Sequence, residues 1–333
     1  MTIGIINRFN LAILVDYRYL GYRSAFRFAD FSVDTPQGPL LTGSLFGILQ
    51  FIELIATNYP YAQIFLCLDG KPLERQKLFE GYKKSRVHPD PSNLPSAEVT
   101  TFRALHDEPF KMLGGIPNLY AVYHPEKEAD DLIAKLSILN REAGKDVVVF
   151  TSDKDMMQLM QYGVNMSKEI SDGEFVLLTE EYLLNHKALG VEPQYIPYLR
   201  PWKGDPSDDI PPAVSRVTSE VLKEIAKGWH DSGQQELTEE ILTTIIDSIT
   251  TVNVTDKTRE KLIQGIDQAN INFKLMDLTR YKTEAIDSVQ LKPLTYEESV
   301  IDYYQLNKYK AWRTGVSIVT VDPDSILSSG TPL

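Results

Sequence analysis

Short apolar runs alternate with longer helical patterns from residue 11 to about residue 190, and this alternation limits the fold more than any other feature of the chain. The runs are rich in Val, Ile and Leu and have the length of buried strands. Strands that alternate with helices predict a mostly parallel central sheet with helices on both faces, which is an α/β fold. Beyond Pro201 the patterns are helical, so a mainly helical C-terminal region should follow.

The patterns predict an α/β domain over residues 1–200 and a helical region over residues 201–333, and a chain of this length can bury two cores. Residues 71–114 interrupt the alternation with a basic helix-like piece, a Pro-rich turn from His88 to Pro95 and a second helix-like piece. Insertions of this length after a strand are usually functional or mobile, so a role in binding is expected here.

Aspartates follow the apolar runs 11–15, 64–68 and 147–150. Asp16 and Asp69 end the first two, and Asp153 and Asp155 come shortly after the third. Two more acidic clusters lie at the start of a helix-like segment and in a Pro/Gly-rich loop: Glu128, Asp130 and Asp131, and Asp205, Asp208 and Asp209. Because ligands bind outside the carboxyl ends of the strands in an open α/β sheet, five clusters from distant segments suggest one shared site.

Converging carboxylates are typical of a site for divalent metals. Two metals about 3.5–4 Å apart can activate a water and stabilise the leaving oxygen of phosphodiester hydrolysis. The single cysteine, Cys67, and five scattered histidines exclude a zinc-type site, so oxygen ligands indicate two Mg²⁺ ions, with Mn²⁺ as a substitute. Taken alone, each aspartate is more often a helix N-cap or a partner of a helix dipole. Their convergence favours the metal site.

The residues exclude three other chemistries. Phosphotransferases of the haloacid dehalogenase type need Asp-x-Asp after the first strand, and here Arg18 takes the third position. The glycines from Gly38 to Gly43 have the spacing of a P-loop but lack its lysine. The sequence contains no Gly-x-Ser-x-Gly elbow, so nothing supports serine hydrolase chemistry.

A net charge of −12 argues against a nucleic-acid partner, because phosphate neutralisation dominates such binding. The distribution of charge changes this interpretation, since six cations fall within residues 71–86: Lys71, Arg75, Lys77, Lys83, Lys84 and Arg86. Phe79 and Tyr82 interleave with them and could stack on unpaired bases. The alternative is a solvated basic helix face.

No leader-like N-terminus and no apolar stretch of membrane-spanning length is visible, and the lone Cys67 lies within a strand-like run. A soluble protein in a reducing, cytoplasmic compartment, with no membrane partner, is therefore expected.

Together these motifs resemble the structure-specific 5′ nuclease family, which includes bacteriophage 5′ nucleases, the 5′ nuclease domain of bacterial DNA polymerase I and flap endonucleases. The likeness covers roughly residues 10–215 and rests on the order and spacing of its segments. They are Ile13 to Asp16 with Leu20 to Arg23, Thr42 to Gly47, Leu68 to Lys71 with Tyr82 to Arg86, Glu128 to Asp131, Thr151 to Met156 with Gln158 and Leu159, and Lys203 to Ile210. The resemblance implies a PIN-like fold with a helical arch at about residues 71–114, called the arch segment below, and favours bacteriophage members.

The resemblance also implies a set of site residues. One metal would be surrounded by Asp16, Asp69, Glu128 and Asp130, and the other by Asp130, Asp153, Asp155 and Asp205, with Asp131 and Asp208 acting through water. Lys83 and Arg86 would steady the scissile phosphate and so join Asp130 and Asp153 as catalytic residues. DNA contacts would come from Tyr22, Arg23, Lys71, Arg75, Tyr82, Lys83, Lys84, Arg86 and Arg216.

The match is poorer after Ile210. Family members usually carry a glycine-rich hairpin here, whose backbone amides approach a duplex phosphate, whereas residues 211–218 contain no glycine. A degenerate helix-hairpin-helix is therefore expected near residues 205–230, with Arg216 as a substitute phosphate contact.

The function implied by the resemblance is that of a Mg²⁺-dependent 5′-3′ exonuclease and flap endonuclease. It would act on DNA with 5′ flaps, nicks or 5′ ends and on RNA–DNA hybrids, removing primers during replication. A single-stranded-DNA-binding protein or a sliding clamp is a candidate partner, and a phage protein would work in the host bacterial cytoplasm. Two alternatives remain open: a PIN-type ribonuclease, and a protein that binds DNA junctions without cleaving them.

Overall fold

The structure of the protein is a computed structural model that describes residues 7–87 and 95–315, without the side chains of residues 86 and 87. Its strands are β1 (Leu11–Asp16), β2 (Ser32–Thr35), β3 (Gly38–Leu41), β4 (Gln63–Leu68), β5 (Leu119–Tyr123), β6 (Asp146–Phe150), β7 (Asn165–Ser171), β8 (Glu174–Leu177) and β9 (Gln290–Lys292). Seven of them form one sheet in the order β8-β7-β6-β1-β4-β5-β9, and β2 and β3 form a separate hairpin.

The central sheet is mostly parallel. Strand β1 pairs in parallel with β4 and β6, β4 pairs with β5, and β6 pairs with β7. The edge strands β8 and β9 pair antiparallel with their neighbours. Inner strands of a parallel sheet are covered on both faces, which is why β1 is apolar at consecutive positions such as Ile13 and Leu14, both fully buried. The predicted α/β fold is confirmed.

Helices cover both faces of the sheet. They are α1 (Tyr17–Arg27), α2 (Gly43–Asn58), α3 (Leu73–Leu78), α4 (Lys84–Val87), α5 (Ala97–Ala104), α6 (Ala129–Glu142), α7 (Glu180–Leu184), α8 (Ile196–Lys203), α9 (Ser219–Asp231), α10 (Glu239–Ser248), α11 (Asp256–Gln264), α12 (Ile266–Met276), α13 (Glu298–Tyr303) and α14 (Asn307–Gly315). One core contains Leu20, Ile48 and Phe102 from α1, α2 and α5. The other contains Ile133 of α6 and Trp229 of α9. Among the described residues, no helix combines the length and the apolar character that crossing a bilayer requires.

The hydrophobic core does not break at the predicted boundary near residue 200. Trp229 of α9 and Phe273 of α12 lie in the same cluster as residues of α6. The chain then returns to the sheet, where β9 pairs with β5 and Tyr309 Oη donates a hydrogen bond to the Met112 carbonyl at 2.6 Å. The described residues on both sides of position 200 therefore contribute to the same hydrophobic cluster, and the predicted division into two domains stays a prediction.

The arch segment contains α3, α4 and α5, followed by the 3-10 helix Glu108–Lys111. Its first part packs into the protein, because Phe79 and Tyr82 join Leu275 and Met276 of α12 in one apolar cluster. The Pro-rich turn predicted from His88 falls almost entirely outside the described residues.

Candidate active site

The carboxyl ends of the central strands meet at one edge of the sheet and form the candidate site. Asp16 is the last residue of β1, Asp69 follows β4, and Asp153 comes shortly after β6. From β1 the chain goes to β4 and β5 on one side, and it then crosses back to β6 on the other side of β1. A crevice opens at this point in such sheets. Helix α6 begins beside it, with Ala129 N donating to Asp69 Oδ1 at 3.0 Å. Glu128 and Asp130 therefore reach the same edge.

Asp16 both caps α1 and faces other carboxylates. Its Oδ1 accepts a hydrogen bond from Tyr19 N at 2.9 Å, and its Oδ2 accepts one from Thr151 Oγ1 at 2.9 Å. Burial, and then the nearby Asp69 carboxylate, raise the pKa of Asp16 to about 6. The N-cap interpretation and the metal-ligand interpretation of this residue are thus compatible.

Asp130 and Asp153 repel each other inside the site. Burial, and next the Asp153 carboxylate, raise the pKa of Asp130 well above its ordinary value. Burial, and next Asp155, raise the pKa of Asp153 to about 7, and Asp16 acts in the same direction on both. Buried negative charges this close to one another are stabilised by a cation among them.

Two arginines neutralise the outer carboxylates. Arg18 Nε lies 2.8 Å from Asp69 Oδ2. Arg200 Nε lies 2.6 Å from Asp155 Oδ1, and its Nη2 lies 2.5 Å from Asp205 Oδ2. The sequence patterns do not identify either arginine as a site residue. For Arg200 a signal exists, because it is a charged residue in a helix whose other inward positions are apolar.

The donor set suits a hard divalent cation, because every acidic ligand that converges offers carboxylate oxygens. Within residues 7–87 and 95–315, no three acidic, histidine or cysteine side chains already lie together as a complete metal-binding group. The mutual repulsion of Asp16, Asp130 and Asp153 favours a cation among them.

Arg75 lies beneath the site, with 5% of its surface exposed. Its Nη1 and Nη2 donate to the two Asp131 oxygens at 2.8 and 2.7 Å, Nη1 also donates to Glu128 at 3.1 Å, and Nε donates to the Leu275 carbonyl at 2.9 Å. Although burial acts to raise it, the pKa of Asp131 is lowered by Arg75. Arg75 is thus buried against Asp131, and its predicted DNA contact and the predicted role of Asp131 through water stay predictions.

Tyr82 and Lys83 are also buried at the base of the arch segment. Tyr82 Oη donates to Glu128 Oε2 at 2.7 Å, and 3% of the residue is exposed, so base stacking by Tyr82 stays a prediction that would require the ring to leave this position. Lys83 Nζ lies 2.5 Å from Glu128 Oε1 and 3.3 Å from Asp208 Oδ2. Lys83 therefore places a positive charge among the site carboxylates, and its catalytic role stays a prediction.

The remaining predicted DNA contacts lie nearer the surface. Tyr22 and Arg23 are half-buried on α1, where the Tyr22 ring packs edge-on against Phe102. Three others are exposed: Lys71, Lys84 and Arg216. The backbone of Arg86 belongs to α4, and its side chain lies outside the described part of the chain. DNA contact by these residues stays a prediction.

The acidic loop after α8 connects the C-terminal helices to the arch segment. Asp205 Oδ1 accepts a hydrogen bond from Ser207 N at 2.8 Å, and Asp209 Oδ2 accepts bonds from Ser85 N and Oγ, both at 2.8 Å. Helices α8 and α9 flank a connection in which Arg216 has a φ of 55°. The sequence places Asp209 in an acidic cluster but gives no signal for its contact with Ser85.

Comparison with known proteins identifies relatives that share this arrangement of segments. Residues 11–187, more than half of the chain, match the family model described as 5′-3′ exonuclease, N-terminal resolvase-like domain. The chain is 28% identical over 205 residues to a 5′-3′ exonuclease of Buchnera aphidicola subsp. Acyrthosiphon pisum, and 31% identical over 192 residues to one of Aquifex aeolicus. These matches cover 61% and 57% of this chain and 65% and 60% of the two relatives, so the chain spans less than two thirds of their length.

Two solved structures from bacteriophage T5 have a similar fold. One is a T5 protein co-crystallised with metal ions, with a TM-score of 0.58 and 18% identity, covering 92% of this chain and 100% of that chain. The other is the T5 5′-exonuclease with bound zinc, with a TM-score of 0.60 and 18% identity, covering 91% of this chain and 99% of that chain. At this identity the likeness shows the fold alone. Because the family model spans more than half of the chain, the protein belongs to the 5′-3′ exonuclease family that this N-terminal resolvase-like domain defines.

Proposed function

We propose that the protein is a 5′-3′ exonuclease and flap endonuclease that hydrolyses phosphodiester bonds with two divalent ions, Mg²⁺ in the cell. The observation that carries this proposal is the convergence of half-buried carboxylates at one sheet edge: Asp16 at the end of β1, Asp130 in the first turn of α6 and Asp153 after β6. Family membership supports it. A T5 flap endonuclease of similar fold has been solved as a complex with DNA and metal ions, which supports the same substrate class here.

Asp16 and Asp130 would hold one ion, and Asp130 and Asp153 would hold the other. Asp69 and Glu128 would complete the ligands on the β4 side, and Asp155 and Asp205 those on the other side. When bound, such ions activate a water and stabilise the leaving oxygen. Glu128 and Asp205 would exchange contacts with Lys83 and Arg200 for contacts with an ion, while Lys83 keeps its contact with Asp208 and Arg200 its contact with Asp155.

Lys83 is the side chain best placed to act on the substrate itself. Its ammonium group lies among Glu128 and Asp208, at the base of the arch segment. A buried positive charge stabilises the negative charge that develops on a phosphate in the transition state. Arg75 would act as a positioning residue, because it holds Asp131 and Glu128 at the start of α6.

The substrates proposed are DNA with 5′ flaps, nicks or 5′ ends, and RNA primers annealed to DNA. Exposed cations on the arch segment and Arg216 would contact the substrate backbone. A single-stranded-DNA-binding protein or a sliding clamp is the proposed recruiting partner. A cytoplasmic location fits the single, buried Cys67.

Cleavage of a 5′-flap duplex and of a nicked duplex, each labelled on the 5′ strand, tests the proposal. The protein is incubated in Mg²⁺ and in EDTA, and Asp153→Asn is compared with Asp256→Asn, which alters an exposed aspartate at the start of α11. Release of the flap or of mononucleotides should require Mg²⁺ and be lost only in Asp153→Asn. Tight flap binding without cleavage would overturn the proposal, and cleavage of RNA alone would support a ribonuclease instead.

A further inference from the structure

A group of five lysines gathers on the side of the site that follows β6 and β7. Lys154 stands between Asp153 and Asp155, Lys168 lies on β7, and Lys187 follows α7. The other two are Lys203 at the end of α8 and Lys223 on α9. These residues are called the lysine cluster below. The sequence patterns used above do not single them out, because they come from five separate segments.

Direct contacts hold the lysine cluster around the turn that follows α7. Lys168 Nζ donates to Tyr182 Oη at 3.2 Å, and the Tyr182 ring lies 5.6 Å from the His186 ring. Lys203 Nζ donates to the Ala188 carbonyl at 2.8 Å. Lys223 Nζ packs so closely on Gly190 that a Cβ there would lie 2.5 Å from it. Lys168, Lys203 and Lys223 therefore all contact the segment from Tyr182 to Gly190, which also carries the exposed Lys187.

The lysine cluster concentrates positive charge in a chain that is acidic as a whole, although Glu180 and Glu181 of α7 and Glu220 of α9 lie on the same segments. In the part of the chain that the structure describes, none of the five lysines has a carboxylate partner within ion-pair distance. Partial burial, and then Lys154, Lys168 and Lys203, lower the pKa of His186. Burial, and then Lys223 and Arg200, lower the pKa of Lys203, against an opposite effect of Glu220. Like charges held together in this way favour the binding of an anion.

The lysine cluster is continuous with the active site. Lys203 is the last residue of α8, two positions before Asp205, and Lys154 stands between Asp153 and Asp155. The arch segment follows β4 and the lysine cluster follows β6 and β7, strands that lie on the two sides of β1, and the two regions meet at the loop after α8, where Ser85 contacts Asp209. A substrate strand at the site can therefore reach either basic region.

We propose that the lysine cluster binds backbone phosphates of the double-stranded part of the substrate, on the side of the active site that follows β6 and β7. This inference rests on the proposed function. Unpaired bases need aromatic faces on which to stack. The Tyr182 ring beside the lysine cluster does not offer such a face, because the Lys168 ammonium group lies over it, 5.0 Å from the ring centroid. A duplex offers phosphates without unstacked bases, and phosphate contacts position it without reading its sequence. The lysine cluster would also supply contacts to duplex phosphates, which residues 211–218 are not expected to make through their backbone because they contain no glycine.

The test measures binding to a labelled blunt duplex and to a labelled single strand at several salt concentrations, in EDTA to prevent cleavage. Lys168→Gln, Lys187→Gln and Lys223→Gln are made singly and together, and Lys257→Gln on α11 is the control. Each cluster substitution should lower the slope of log affinity against log salt for the duplex by about one, with single-strand binding unchanged. On a 5′-flap substrate in Mg²⁺, the triple variant should raise KM and keep kcat.

Circular dichroism establishes that each variant is folded before binding is compared. An unchanged duplex slope in the folded triple variant, or an equal loss in Lys257→Gln, would overturn the inference. A loss confined to the single strand would overturn it too, by assigning the lysine cluster to the 5′ strand. If the wild type binds duplex through these lysines but cleaves nothing in Mg²⁺, the proposed function fails and the binding surface stands.

Discussion

Arg75 shows how one buried residue can organise a site that it does not enter. Its guanidinium group holds both oxygens of Asp131, contacts Glu128 and reaches the Leu275 carbonyl, so it connects α3, α6 and α12. Bidentate pairing requires the planar fork of arginine, which lysine cannot reproduce. The start of α6, which carries Glu128 and Asp130, therefore depends on a residue of the arch segment.

Replacing Arg75 tests this dependence. Arg75→Ala leaves Asp131 and Glu128 buried with fewer partners and should lower the free energy of unfolding by about 3–5 kcal/mol. Arg75→Lys should recover part of the stability, yet Mg²⁺ affinity measured by calorimetry should stay below that of the wild type, because a single ammonium group cannot hold both carboxylates. Lys77→Ala, an exposed position on the same helix, is the control. Equal stability of Arg75→Ala and Lys77→Ala in urea would contradict this role.

At the scale of elements, α1 connects the active site to the far end of the arch segment. Asp16 is the N-cap of α1. The helix passes so close to α5 that a Cβ on Gly21 would lie 2.1 Å from the Phe102 ring. That ring is itself buried against Tyr17 and Tyr22. The absence of a side chain at residue 21 therefore sets the distance between these two helices.

Gly21→Ala should force the two helices apart. Overpacking of a well-filled core costs about 1–3 kcal/mol, and we expect a loss of that size in the free energy of unfolding. Gly315→Ala is the matched control, because nothing lies within 4 Å of a Cβ built there. The measurement is denaturant unfolding of both variants beside the wild type. Unchanged stability of Gly21→Ala would show that Phe102 can move aside without cost.

At the scale of the whole molecule, the fold gathers negative charge from five segments at one edge and places positive charge on both sides of it. Arg18, Lys83 and Arg200 balance part of this charge. The central carboxylates keep raised pKa values because of burial and mutual repulsion. Ionisation of a carboxyl group whose pKa is raised in the folded state lowers stability as the pH rises through that pKa. The metal-free protein is therefore less stable above neutral pH than its core alone would make it.

Mg²⁺ should stabilise the protein because it relieves the repulsion among the site carboxylates. Removing one of these carboxylates should relieve part of the same repulsion without a metal. The pKa of Asp153 is raised to about 7, so above that pH Asp153→Asn should stabilise the metal-free protein by roughly 1–3 kcal/mol. The same variant should gain less than the wild type when Mg²⁺ is added. Thermal unfolding in EDTA and in Mg²⁺ measures both effects, with Asp256→Asn as the control. A lower melting temperature of metal-free Asp153→Asn would contradict this account.

Much of the fold and the acidic part of the site follow from the sequence because both depend on local patterns. Continuous apolar runs specify strands buried on two faces, and an aspartate directly after such a run must lie at the carboxyl edge of a parallel sheet. Asp16 and Asp69 were placed in this way, and the order of the motifs was enough to indicate the family.

Which charged residues turn inward was decided by the tertiary structure alone. Arg75 and Tyr82 belong to a basic, aromatic stretch that reads as a DNA-facing surface, yet contacts with α6 and α12 bury them. Arg200 and the lysine cluster can be assigned to the site only from the tertiary structure, because the residues around them come from segments that are distant in the chain. The sequence of one segment shows which charges it carries. Whether those charges are buried or paired depends on which other elements of the fold pack against that segment.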